Sequence, residues 1–293
     1  MSTPIIYWFR QDLRTHDLPG LAAAAATGRP VLACYILDDN TPGDWRLGGA
    51  SRWWLHHSLQ ALDEKLRDMG GQLILRSGET AAVLDDLIDE TGADAVYCSQ
   101  HFEPWAADLE QRLHEDFDQR GLVVKRFPGV LLFQPGTVLN QSGLPFKVYT
   151  PFWRACRAGD APPPPRPSPA DVTWHSGCNS EALEDWALRP TAPDWAAGWT
   201  DLWQPGEMGA SRRLEAFLDG PILDYREGRD HPALDCTSRL SPHLRFGEIS
   251  PREIWQQTAR WKAEQPQHSA AADKFLSELG WREFSYHLLY HFR

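Results

Sequence analysis

Short apolar runs alternate with amphipathic stretches through the first part of the chain. Pro4 to Phe9, Pro30 to Leu37, Gln72 to Arg76, Ala95 to Cys98 and Leu122 to Phe127 read as strands. Between them Leu18 to Ala26, Ser51 to Met69, Thr80 to Glu90 and Ala106 to Gln119 read as helices. The second helix is the best marked: Trp54, Leu55, Leu59, Leu62 and Leu66 return on one face at helical spacing, and Gly70-Gly71 stops it. Strands alternating with helices imply βαβ units, and hence a parallel sheet covered by helices on both faces.

The texture then changes. Prolines crowd the segment after residue 128, with Pro162 to Pro165 in one block followed by Pro167 and Pro169. Such a block prefers an extended polyproline conformation and reads as a connection crossing a surface. Trp174, Trp186, Trp195 and Trp199 lie in or just beyond it, so parts of it are expected to pack down. Helical patterning resumes with Arg212 to Leu218, Pro251 to Trp261 and Ala270 to the end. In the last of these the apolar residues surround the helix, a pattern expected for a core helix. Because the chain stops there at Arg293, we expect it to be a fragment of a longer protein.

Composition narrows the possibilities. With 293 residues, 42% hydrophobic and 24% charged, the chain has a globular balance and room for two domains. There is no apolar stretch of membrane-spanning length and no signal-peptide pattern at the start, so a cytoplasmic protein without a membrane partner is expected, and a monomer. The net charge of -11 argues against broad adhesion to nucleic acid but allows a local basic groove. Five scattered cysteines without a CxxC pair give no support to a zinc site or disulfide framework, and no metal is expected. Most of the fourteen tryptophans are expected to be core or interface anchors, yet such a supply also suits stacking on a planar ring system. Walker, GxGxxG, HExxH and GxSxG patterns are absent, so the common phosphate, dinucleotide, zinc and acyl-transfer readings lose their best sequence support.

Three segments carry candidate chemistry. In Tyr7-Trp8-Phe9-Arg10-Gln11-Asp12-Leu13-Arg14-Thr15-His16-Asp17-Leu18 a strand end runs through a charged loop into a helix. Ligands of open parallel sheets bind at such carboxyl ends, although an ion-paired loop capping the helix through Asp17 explains the same residues. In the second segment Thr237, Ser238 and Ser241, flanked by Arg239 and Arg245, could hold a pyrophosphate if their backbone amides converge. Ser250-Pro251 with Glu253 resembles an ordinary capped helix start. In the third, Glu278, Trp281, Arg282 and Ser285 share one helical face. An aromatic plane beside a carboxylate and a guanidinium suits the reading of a flipped base.

Taken together, these segments resemble the DNA photolyase/cryptochrome family. The matching stretches are WFRQDLRTHDL, GLPFKVYTPFWR, TSRLSPHLRFGEISPRE and ELGWREFSYHLLYH, in family order along the whole chain. The parallel drawn is to bacterial class I cyclobutane pyrimidine dimer photolyases. The resemblance implies an α/β class fold: an N-terminal parallel-sheet, Rossmann-like antenna domain over residues 1–130, an interdomain linker over 131–200, and a truncated all-α FAD-binding domain over 201–293. It implies FAD held by Tyr225, Thr237, Ser238, Arg239, Leu240, Ser241, Phe275, Glu278 and Arg282. It places Glu278 and Trp281 against the dimer and Arg229 and Arg282 at the flavin–DNA rim. An antenna chromophore, methenyltetrahydrofolate or 8-hydroxy-5-deazaflavin, would sit near Gln100 to Trp105. The implied activity is light-driven repair of DNA containing pyrimidine dimers, by electron transfer from reduced FAD. The alternatives are a cryptochrome-type blue-light sensor, a photolyase for 6-4 photoproducts, and a fragment whose helical part stays molten. Glu278 and Trp281 favour repair.

Overall fold

The computed structural model describes residues 2–292, so that Arg293, the last position of the expected final helix, lies outside the described residues. Five strands, β1 (Ile5–Phe9), β2 (Val31–Leu37), β3 (Leu73–Ser77), β4 (Ala95–Ser99) and β5 (Val123–Phe127), form one parallel sheet in the order β3-β2-β1-β4-β5. Between them run α1 (Pro19–Ala25), α2 (Gly49–Asp68), α3 (Thr80–Thr91) and α4 (Pro104–Gln119). All nine elements overlap the segments expected from the hydrophobic pattern.

The alternation of β1 side chains builds both faces of this sheet. Ile5, Tyr7 and Phe9 pack with Leu21 of α1 and Trp53, Leu55 and Leu59 of α2. Ile6 and Trp8 point the other way, toward Leu84 and Leu87 of α3 and Leu109 and Leu113 of α4. The crossover from β3 to β4 passes back over β1, so a topological switch point lies between β1 and β4, where open sheets of this type bind ligands.

The rest is helical: α5 (Tyr149–Ala158), α6 (Trp199–Leu202), α7 (Glu207–Asp219), α8 (Tyr225–Gly228), α9 (Ser241–Phe246), α10 (Pro251–Glu264) and α11 (Ser269–His291). Leu214 and Phe217 of α7, Ile254 of α10, and Ala272, Phe275 and Leu279 of α11 share one core. Phe152, Trp153 and Cys156 of α5 share another with Leu276 and Phe284. Gly280 makes the second contact possible, since a Cβ there would come within 2.6 Å of the Trp153 ring. No helix among the described residues is long and apolar enough to cross a membrane.

The proline-rich segment behaves as expected only in part. Beyond its proline block, Val31 donates to the Thr173 carbonyl and accepts from His175, and the Trp174 indole lies flat on Gly71, donating to the Met69 carbonyl at 2.8 Å. Before the block, however, the chain forms α5. The final helix also differs from a fully enclosed core helix, because Trp281 and Tyr290 are exposed.

Two buried polar clusters join the sheet to the helices. Arg14, fully enclosed, donates to the carbonyls of His16, Asp17, Gly129 and Gly247, each at 2.9 Å. Glu248 accepts from Trp54 Nε1 at 3.0 Å, from the Ser58 hydroxyl, and pairs with His243. Asp17 does not cap α1. At φ 49° it turns away, accepting from the Arg166 amide at 3.1 Å and pairing with Arg252 at 2.8 Å. Ser250 does cap α10, accepting from the Glu253 amide at 3.0 Å.

Candidate functional site

The α/β and helical parts each present a cleft, with α9 as the wall between them. The first opens at the switch point of the sheet. Trp8 and Arg10 at the end of β1, Tyr35 and Ile36 of β2, His101 after β4, and Trp105 of α4 line it, and Arg245 of α9 closes one side. It encloses about 90 Å³, and Trp45 stands at its rim, largely exposed. The Arg10 guanidinium lies 4.3 Å from the Trp8 ring centroid, pairs with buried Glu110 at 2.8 Å and donates to the Ser99 carbonyl. Its Nε, Trp8 Nε1 and both ring nitrogens of His101 are buried without a partner among the described residues. Burial and the charges of Arg10 and Arg245 hold the His101 pKa well below the usual histidine range, so the imidazole is neutral. Orphaned donors cost free energy when nothing accepts from them, so this cleft is suited to a flat, acceptor-bearing ligand.

Of the charged loop after β1, then, Arg10 and Gln11 reach the cleft. Asp12 instead locks the loop, accepting from the Tyr7 hydroxyl at 2.9 Å, the Ser99 hydroxyl at 2.6 Å and the Arg10 amide at 2.7 Å. Arg14 and Asp17 are the buried joints described above.

The second cleft, of about 330 Å³, is lined by Tyr225, Ser238, Leu240, Ser241, Leu244, Arg245, Ile254, Phe275, Glu278, Leu279, Arg282 and Tyr286. That volume is at the small end for cofactor sites, roughly 300–1,000 Å³. Seven of the residues expected to hold a flavin are in its wall. Tyr225 and Phe275 meet edge to face at 5.4 Å, forming an aromatic corner backed by Phe217. Burial raises the Tyr225 pKa, which keeps the phenol neutral. Glu278 projects into the cleft and is paired with Arg229 and, at 2.8 Å, with Lys274. Arg282, one helical turn on, is held by the Val130 carbonyl at 3.0 Å, by Glu283 at 3.2 Å and by the face of Tyr286 at 4.9 Å.

Four expected site residues lie outside this wall, and one of them, Arg229, meets it through its ion pair with Glu278. Arg239 adopts φ 51°, and its guanidinium pairs with Asp235 at 2.8 Å instead of lining the cleft. Thr237 is half-buried off the wall. Trp281 does not share the face of Glu278 and Arg282. Those two, four residues apart, line the cleft, whereas Trp281 is turned onto Tyr149 with ring centroids 3.7 Å apart. Arg245, expected as a positive flank of the serine turn, lines both clefts, and sequence reading missed Glu283, a buried carboxylate accepting from the Leu132 and Phe133 amides at 2.8 and 3.1 Å. For Tyr149 a signal existed: Tyr149, Phe152, Trp153 and Cys156 recur at helical spacing.

The donor set of the second cleft fits a flavin: an aromatic corner for the ring system, serine hydroxyls for polar groups, and a guanidinium for negative charge. A sheet with a cleft at its switch point, joined to helices bearing an aromatic and arginine cleft, defines a two-site α/β-plus-α protein. The family model for DNA photolyase matches residues 5–170. The deoxyribodipyrimidine photo-lyase of Agrobacterium fabrum is 44% identical over 297 residues, covering 99% of this chain and 60% of that protein. Cryptochrome-1 of Arabidopsis thaliana is 33% identical, covering 96% and 42%. The crystal structure of a bacterial class III photolyase from Agrobacterium tumefaciens superposes with a TM-score of 0.93 at 44% identity, covering 100% of this chain and 60% of that one.

The chain belongs to the DNA photolyase family. It spans about 60% of the length of the Agrobacterium fabrum relative. The expected parallel to class I enzymes is corrected, since the photolyase structure matched at 44% identity is of class III.

Proposed function

We propose that the chain forms the antenna part and the first wall of the flavin site of a photolyase that repairs cyclobutane pyrimidine dimers. The observation that carries this reading is the convergence of Tyr225, Ser238, Leu240, Ser241, Phe275, Glu278 and Arg282 on one cleft, with an exposed tryptophan on the same helix. FAD, when bound, would supply the light-driven electron transfer that opens the dimer. The residues of the chain bind and orient. Tyr225 and Phe275 flank the ring system, Ser238 and Ser241 offer hydroxyls, and Arg282 provides positive charge where a flavin anion would need it. Glu278 would accept hydrogen bonds from a pyrimidine and Trp281 would stack on the flipped dimer, with Arg229 at the rim.

The antenna chromophore would lie across the mouth of the first cleft, whose roughly 90 Å³ admits only part of it, where Trp8, Arg10 and His101 offer unpaired nitrogens. These groups suit a folate and a deazaflavin alike. The test is to load the 293-residue chain with FAD, reduce it, illuminate it with an oligonucleotide carrying one thymine dimer, and follow restored thymines chromatographically. Light-dependent restoration supports the reading. Dimer-independent DNA binding without restoration would favour a light sensor, which the similarity to Cryptochrome-1 keeps as the second reading.

A further inference from the structure

Trp281 is 45% exposed, yet one face of its indole is covered. The Tyr149 ring lies against it at 3.7 Å and 11°, the shortest ring separation among the described residues. Tyr149 is itself fixed, since its hydroxyl donates to the Ser277 carbonyl at 2.6 Å and lies 2.9 Å from the Ser277 hydroxyl, one turn back along α11 from Trp281. Behind Tyr149, Trp153 runs nearly parallel at 12° and is buried against Gly280. The three rings make a ladder, anchored in the core at Trp153 and open at the outer face of Trp281. A surface indole ordinarily loses rotamer freedom when it stacks on a ligand. In this ladder that freedom is already restricted before any ligand arrives.

We propose that Tyr149 is a positioning residue that sets the ring plane of Trp281, so that its free face meets a flat ligand preorganised. This rests on the reading that Trp281 stacks on the pyrimidine dimer. Tyr149 touches no substrate and acts only through Trp281.

The experiment uses the full 293-residue chain labelled with 5-fluorotryptophan. Fluorine NMR identifies the Trp281 resonance as the one lost in Trp281→Phe, and anisotropy titrations compare a single-dimer oligonucleotide with its undamaged counterpart. Tyr149→Leu should shift or broaden the Trp281 resonance and lower dimer affinity by about threefold to tenfold, with no change toward undamaged DNA. Tyr149→Phe, which keeps the stack, should stay within about twofold of the parent. In a Trp281→Ala background Tyr149→Leu should have no further effect. An unmoved Trp281 resonance in Tyr149→Leu, or an equal loss in the Trp281→Ala background, would overturn the proposal. If Trp281→Ala leaves the dimer preference intact, it is the dimer reading that fails, and the resonance alone then decides whether Tyr149 holds the ring.

Discussion

Glu283→Gln removes a charge from the seam between α11 and the segment at Leu132, and the outcome can be worked from the structure. The carboxylate is 2% exposed and accepts from the Leu132 and Phe133 amides and from Arg282. Burial outweighs these partners and pushes its pKa from 4.5 up to about 7. At about 1.4 kcal/mol per tenfold change in proton affinity, this difference is worth about 3 kcal/mol. The folded chain binds this proton below about pH 7 and the unfolded chain only below about 4.5. The penalty is therefore absent in acid, grows as pH rises through that window, and is complete above it. Glutamine does not titrate. Its carbonyl can still accept both amides, and any cost of facing Arg282 with its amide nitrogen is constant with pH. The readout is thus the difference in unfolding free energy, variant minus parent, from urea melts between pH 4.5 and 8. It should climb by about 3 kcal/mol in favour of the variant. A flat difference, or one that falls with pH, would show that the amides and Arg282 outweigh burial, and would refute the reasoning.

Two further substitutions test the joints of the fold. Arg14→Met leaves buried carbonyls of the β1–α1 loop, Gly129 and Gly247 without a donor, and should cost at least about 3 kcal/mol in urea unfolding; a loss below about 1 kcal/mol would mean that the clamp is incidental. Ser250→Ala deletes the cap of α10 and should cost about 1 kcal/mol, whereas threonine in its place should restore most of the loss.

The sheet was legible because its strands are short, β-rich and separated by amphipathic helices. The parity of β1, with Tyr7 on one face and Trp8 on the other, follows from the pleat alone. The helix α5 was obscured by Pro151 and the proline block beyond it, which suggested an extended chain, although proline is tolerated in the first turn where Pro151 sits. All-round apolarity suggested that α11 was enclosed, but the side chains at Trp281 and Tyr290 are exposed, and Trp281 leans on a neighbouring tyrosine. Much of the lining of the second cleft could be anticipated through family motifs, which fix positions along the chain. They could not show that Arg239 would turn toward Asp235, because this depends on a left-handed backbone at one residue. For the first cleft, the end of β1 and the stretch from Gln100 to Trp105 were indicated separately, but not that they meet. Trp8, Tyr35 and His101 sit on or after three different strands and meet only once the strand order is known.

The central claim is that the cleft between Tyr225 and Arg282 holds a flavin. The most direct test is to incubate the purified chain with FAD, desalt it, and record the visible absorption spectrum beside that of a Ser238→Trp variant, whose indole would fill the cleft. A retained flavin band in the parent and its loss in the variant are the predicted result. A colourless parent, or equal colour in both, would contradict the account.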